Sequence, residues 1–348
     1  MQPHPGMSRG ATQSEVNMSM TAQTVRQRLS AIMQSGADGE SKLLGFIRGL
    51  SPPLLGIIVF LALWHVGASG IQTSLGALPG PAGVWEQAGN LYQEHVAERE
   101  RKTAFNERQA DREAEFLAEN PGQEFIPLPY TGKPTYLDQI FTSLYTVFAG
   151  FTMATLVAVP LGIFCGLSRT MQSALNPLIQ IFRPVSPLAW LPIVTLVVSA
   201  LYVSANPLFE KSFVISAVTV TLCSLWPTLI NTALGVASID KDLLNVSRVL
   251  RLSTSTQVMK IVIPSSLKLI FTGMRLSLGV GWMVLIAAEM LAQNPGLGKF
   301  VWDEFQNGSS QSLGRIMVAV FTIGFVGFLL DRIMQTLQQL ASFGQRSA

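Results

Sequence analysis

Charged side chains are scarce in this sequence of 348 residues. Aspartate, glutamate, lysine and arginine together make up 13% of the chain, and an ordinary soluble domain carries about twice that share. Hydrophobic residues make up 49%, and the mean hydropathy is +0.38. This composition argues against an ordinary globular domain and indicates a protein that places much of its surface in lipid.

Cysteine and histidine are also rare, with 2 and 3 copies. Cys165 and Cys223 lie inside apolar runs, so we interpret them as small core residues and predict neither a disulfide nor a metal site. His65 has no second ligand at metal-binding spacing. The net charge of +3 is small and scattered, and no nucleotide-binding glycine loop or basic patch accompanies it. We therefore exclude nucleic acid as a partner and predict no catalytic site.

Six apolar stretches are long enough to cross a bilayer as helices, since each holds the ~20 residues that this requires. Four of them contain no charged residue: 49–85, 139–168, 184–209 and 212–239. Two more, around 269–288 and 313–330, contain Arg275 and Arg315, which we expect to snorkel towards the membrane surface. The sequence thus predicts an all-α, polytopic membrane protein with six transmembrane helices.

The distribution of positive charge predicts that both termini are cytoplasmic. Lys42 and Arg48 precede the first span, and lysines and arginines crowd the connection between the fourth and fifth spans. We expect the first span to be an uncleaved signal anchor, with cleavage near Ala68 as the alternative. The predicted divisions are a disordered tail over 1–48, a first helix over 49–70, an external connection over 71–137, a core of five helices over 138–340 and a tail over 341–348.

The external connection has two parts of different composition. Val84, Trp85 and Leu91 repeat at helical spacing, which predicts a helix lying in the membrane interface. From Glu94 to Glu119 acids and bases alternate, and Pro121 and Gly122 then end any helix. Two interpretations of this charged insertion stay open, a solvated helix outside the membrane and a docking surface for an external partner.

A polar inner loop over 237–264 separates the fourth and fifth spans. Leu243, Val246, Val249 and Leu250 repeat at intervals of three and four, which predicts a short amphipathic helix, and Ser253 could cap a second helical turn. Such a helix needs a partner groove for its apolar face. The alternative is a helical linker that lies on the membrane.

The same loop resembles the inner loop of ABC-importer permeases. That loop reads E-A-A, three residues, Gly, nine residues, then Ile, one residue, an aliphatic and Pro. Asn245-Val246-Ser247, Arg251, Ile261 and Ile263-Pro264 fall at this spacing. Asn245 replaces the acid and Arg251 replaces the glycine.

Further blocks extend the resemblance from about Pro79 to Leu340 and are similar to the permeases for nitrate, bicarbonate, sulfonates and taurine. The blocks lie at 187–192, 273–279, 281–290 and 296–303. Residues 292–298 and 302–308 look most like the nitrate-type permeases. The charged insertion and the long N-terminal tail depart from the shorter members.

The resemblance implies the type I permease fold and a role in moving a small oxyanion across the bacterial inner membrane, with nitrate or nitrite expected first. Bicarbonate, an alkanesulfonate and taurine are the alternatives. It also implies a homodimer bound to two ATPase subunits, which hold ATP and magnesium, and an external or periplasmic anion-binding protein. No cofactor is expected in this chain. The loop would couple to the ATPase through Asn245, Val246, Ser247, Arg248, Val249, Leu250, Arg251, Ile261 and Pro264.

Five residues are candidates for the translocation path: Arg183, Trp190, Trp282, Met283 and Glu289. Glu289 lies late in the fifth span, where it could contact substrate or bond to another helix. Arg183 begins a proline-broken segment and could attract an anion or anchor the span at the cytoplasmic surface. A stand-alone secondary transporter is less well supported, because Glu289 and His65 are the only candidates for a proton relay.

Overall fold

The computed structural model describes residues 52, 54–73, 76–203 and 207–343. The predicted tail over 1–48 and most of the tail over 341–348 lie outside the described residues. The chain divides into two units, residues 1–70 and residues 71–348. The described part of the first unit is helix α1 (Leu54–Ser69). At 1.5 Å per residue, α1 is about 24 Å long, which is shorter than the ~30 Å hydrocarbon core of a bilayer.

In the described part of the second unit, the regular secondary structure consists of helices and one small hairpin of two antiparallel strands, β1 (Gln72–Thr73) and β2 (Gly76–Ala77). Its helices are α2 (Pro81–Glu119), α3 (Tyr136–Leu167), α4 (Arg169–Phe182), α5 (Pro187–Leu201), α6 (Lys211–Ala237), α7 (Lys241–Val249), α8 (Thr254–Gln257), α9 (Ile263–Ala292), α10 (Leu297–Asn307) and α11 (Ser312–Phe343). A π-helical turn over Val258–Val262 joins α8 to α9.

Helices α3, α6 and α9 pack side by side and form the centre of the second unit. Small residues allow this close approach. A β-carbon at Gly162 of α3 would lie 2.6 Å from the Thr232 Cβ of α6, and one at Gly273 of α9 would lie 2.9 Å from the Pro227 carbonyl oxygen. Close approach at small residues is how helices associate in lipid, where burial of apolar surface supplies little driving force.

Four helical segments of the described chain are long and apolar enough to cross a membrane: Tyr136–Leu167, Lys211–Ala237, Thr254–Ala292 and Ser312–Ala341. They confirm the helices predicted for the second, fourth, fifth and sixth spans. The region of the predicted third span is not one straight helix. Here α4 and α5 form a pair that is bent by 100°. Pro184 and Pro187 lack backbone N–H groups, and the Ser186 hydroxyl caps α5 by accepting from the Leu188 N–H at 3.3 Å.

Helix α2 is continuous over 39 residues and combines the predicted interfacial helix with the predicted charged insertion. Val84 and Leu91 are buried in its first half, and α2 packs against α11, where Gln87 lies next to Gly314. The chain after α2 returns along its charged half, where the Tyr130 hydroxyl donates to Glu98 Oε1 at 2.6 Å. This hydrogen bond raises the pKa of Tyr130 above its ordinary value. The charged half of α2 is therefore fixed by the segment that follows it.

Candidate coupling loop and candidate path

One side of helix α7 packs against the core formed by α3, α6 and the turn before α9. Leu244 packs against a buried cluster of Ile163, Val236, Ile239 and Val262, which joins α3, α6 and the turn before α9. Ser247 is 1% exposed, and its hydroxyl donates to the Leu244 carbonyl oxygen at 2.7 Å. A displacement of α7 would therefore act on three core elements at once.

The opposite side of α7 presents apolar side chains to the surface. Val249 is 82% exposed, and Leu243, Val246 and the adjoining Leu250 are also exposed, at 47%, 53% and 64%. Asn245 is exposed on the same helix, which also contains Arg248. Clustered apolar groups of this kind favour a protein partner over water. The structure confirms the amphipathic helix that the spacing predicts.

The backbone conformation of Arg251 shows why the family pattern has a glycine at this position. Its φ is 50°, which lies in the left-handed region that favours glycine. The Leu252 N–H donates to the Ser247 carbonyl oxygen at 3.1 Å, the bond that ends a helix in a Schellman motif. The loop thus adopts the turn that the glycine would favour, and arginine occupies it at a conformational cost.

The end of the loop continues directly into α9. Ile261 lies in the π-helical turn, and Pro264 follows in the first turn of α9, where a missing N–H is tolerated. Ser253 caps α8 by accepting from the Thr256 N–H at 3.3 Å, as its sequence position predicts. Helices α7 and α9 are therefore connected by short helical turns.

Glu289 is completely buried. Ser143 Oγ lies 2.8 Å and 2.9 Å from its two carboxylate oxygens, and the Gly298 N–H donates to Oε2 at 2.9 Å. The Leu297 N–H in turn donates to Ser143 Oγ at 2.9 Å. Gly296 has a φ of 146°, and a β-carbon there would collide with the carboxylate. The carboxylate therefore caps the N-terminus of α10 and joins it to α3 and α9.

The remaining path candidates are divided between two regions. Trp282 is buried, and its Nε1 donates to the Ile323 carbonyl oxygen at 3.0 Å, whereas the neighbouring Met283 is exposed. Arg183 and Trp190 lie on the two sides of the bend between α4 and α5. The Trp190 ring centroid is 5.8 Å from that of Phe182. Whether these residues line the path stays a prediction.

Arg275 and Arg315 form ion pairs that were not predicted from the sequence. Arg275 binds Asp331 on α11 through two hydrogen bonds, one of them 2.6 Å from Nη2 to Oδ2. Arg315 contacts Glu94 and also Glu304, with 3.4 Å between Nη1 and the Glu304 Oε1. Both arginines thus pair with carboxylates, and the snorkelling that we expected stays a prediction. No local pattern indicates these contacts, because the Arg275 pair spans 56 positions and the Glu94 pair spans 221.

Comparisons with known proteins agree with this architecture. Residues 158–342, more than half of the chain, match the family described as "Binding-protein-dependent transport system inner membrane component". The bicarbonate transport system permease protein CmpB of Synechococcus elongatus is 34% identical over 292 residues, which cover 84% of this chain and 89% of CmpB. The nitrate import permease protein NrtB of Synechocystis is 40% identical over 202 residues, 58% of this chain and 68% of NrtB.

A solved structure shares the fold. An inward-facing form of the methionine ABC transporter MetNI matches with a TM-score of 0.50 and 13% sequence identity, and the match covers 59% of this chain and 95% of that chain. The chain belongs to the family of binding-protein-dependent inner membrane components. Within that class it is the permease subunit of an ABC importer, a multi-pass membrane protein with the type I permease fold. It is a transport component, and ATP hydrolysis belongs to a partner ATPase.

Proposed function

We propose that this permease imports a small oxyanion and acts as a homodimer bound to two ATPase subunits. Nitrate or nitrite is the substrate that we favour. ATP and magnesium would be held by the ATPases, and this chain would need no cofactor of its own. Both termini would be cytoplasmic, on the same side of the membrane as α7. An external or periplasmic binding protein would deliver the anion from the opposite side.

The exposed apolar face of α7 carries the proposal. Val246 and Val249 project from a helix whose other side is fixed to the core by Leu244 and Ser247. A groove on the ATPase would cover this face. Closure of the two ATPases would then displace α7, and the cluster around Leu244 would transmit the displacement to α3, α6 and the start of α9. The path would open alternately to the two sides.

The choice of anion rests on the relatives and on the residues that look most like nitrate-type permeases. NrtB proteins are 31% to 40% identical to this chain. Bicarbonate is a second candidate, because the similarity to CmpB extends over 84% of the chain. An alkanesulfonate and taurine are further alternatives.

The test is transport by the reconstituted complex. The permease, its ATPase and its binding protein are placed in proteoliposomes, and entry of labelled nitrate and labelled bicarbonate is measured with and without ATP. We expect uptake of nitrate that requires both ATP and the binding protein. Uptake without nucleotide would contradict the importer mechanism, whereas ATP-driven uptake of bicarbonate alone would replace only the substrate.

A further inference from the structure

Helix α4 has one polar face and one apolar face, as expected of a helix that separates water from lipid. Gln172, Asn176, Gln180 and Arg183 follow one another at intervals of four, four and three, so they share one face. Leu178 and Ile181 lie on the opposite face and are 47% and 62% exposed. An apolar outer face suits contact with lipid, and a polar inner face then requires water or a polar partner.

The polar face of α4 borders a cavity of about 750 Å³. The cavity is also lined by the C-terminal half of α6, including Leu229, Ala233 and Ala237, and by Cys165 of α3. None of the described residues that line this cavity is acidic. Since a water molecule occupies about 30 Å³ of liquid, the cavity has room for on the order of twenty waters and therefore accommodates a hydrated ion.

The donors on α4 match the chemistry of a small oxyanion. The Arg183 guanidinium offers a permanent positive charge and a planar array of N–H groups. The carboxamides of Gln172, Asn176 and Gln180 add neutral N–H donors on the same face. Such a set attracts an anion without enclosing it, as a transport path requires, because an anion that binds too tightly would not leave.

We propose that this cavity, between α4 and α6, is an aqueous vestibule of the transport path and that Arg183 is its anion-contacting residue. The inference rests on the proposed function for the identity of the anion. The vestibule lies near the end of α6 that leads into α7, so it belongs to the cytoplasmic end of the path in the topology proposed above. It would hold the anion weakly before release.

Cysteine accessibility in the assembled complex tests the vestibule. Cys165 and Cys223, the 2 cysteines of the chain, are replaced by alanine, and Asn176→Cys provides the reporter. Leu178→Cys is the matched control, because it lies two residues away on the lipid-facing side. The probe is an anionic, membrane-impermeant methanethiosulfonate. We expect modification of Asn176→Cys to be at least about tenfold faster, since only a hydrated thiol ionises readily.

Protection by the anion tests the role of Arg183. Nitrate should slow modification of Asn176→Cys in a concentration-dependent way. Arg183→Gln should weaken that protection by about fivefold, which is the effect of one unit charge at 4 Å in an aqueous medium, and Arg183→Lys should retain most of it. Equal modification rates at the two reporter positions, or no protection by an anion that the same complex transports, would overturn the vestibule.

The two proposals fail in different ways. If the complex imports bicarbonate and not nitrate, the same protection assay with bicarbonate decides the vestibule. If it imports neither anion, nitrate and bicarbonate are both excluded as the substrate, whereas the relative reactivity of the two cysteines still shows whether the cavity contains water.

Discussion

The carboxylate of Glu289 illustrates how much a single residue can contribute to the fold of this permease. A buried carboxylate is costly unless donors surround it, and here Ser143 and the Gly298 N–H supply them. Since its described contacts are internal, the geometry favours the helix-to-helix role of Glu289 over contact with substrate.

We predict that Glu289→Ala destabilises the protein by about 3 kcal/mol, because it leaves a cavity and two unpaired buried donors. Glu289→Gln should cost less, since its amide oxygen can still accept one bond. The measurement is the temperature at which the detergent-solubilised protein loses its monodisperse peak. Glu113→Gln, on the exposed part of α2, is the control. A changed KM for nitrate with unchanged thermal stability would instead support contact with substrate.

Arg251 leads to a prediction of the opposite sign. Because its φ of 50° is unfavourable for a residue with a β-carbon, Arg251→Gly should stabilise the end of α7 by about 1 kcal/mol. We expect slower proteolysis of the loop. Arg251→Val should have the reverse effect, because β-branched residues tolerate this conformation least. Faster cleavage of the glycine variant would show that the arginine side chain itself stabilises the turn.

At the scale of the element, α7 should be separable into an anchoring side and a docking side. We predict that Val249→Asp leaves membrane insertion and thermal stability unchanged but abolishes stimulation of the ATPase by the binding protein, because the charge would be buried in the partner groove. Ile126→Asp is a matched control, since Ile126 is 83% exposed and lies on the segment after α2, away from the loop. Normal coupling in Val249→Asp would disprove the docking role.

The extent to which sequence predicts these elements depends on the range of the interactions. Local periodicity predicts α7, because apolar residues repeat at helical spacing from Leu243 to Leu250. The cap residue Ser253 predicts α8. The 100° bend between α4 and α5 is only partly local, since prolines interrupt the helix but do not set the angle. The contact between Ser143 and Glu289 spans 146 positions, and no local pattern indicates it. The polar stripe on α4, by contrast, could have been found from its spacing.

At the scale of the whole molecule, the bent pair decides the topology. Along the chain, the charged half of α2 is followed by α3, then by the α4–α5 pair, then by α6 and finally by α7. If the pair crosses the membrane, three spans separate α2 from α7 and the two lie on opposite sides. If the pair turns back, only two spans separate them and they lie on the same side.

We predict opposite sides, because lysines and arginines crowd the connection around α7. Cysteines are introduced separately at Glu113 and Asp242, both exposed, in the chain that lacks Cys165 and Cys223. An impermeant thiol reagent is then applied to intact cells and to inverted vesicles. We expect Glu113→Cys to react only in cells and Asp242→Cys only in vesicles. Reaction of both from one side would make α4 and α5 a re-entrant pair, and α7 could then not meet an ATPase on the cytoplasmic side while α2 faces outwards.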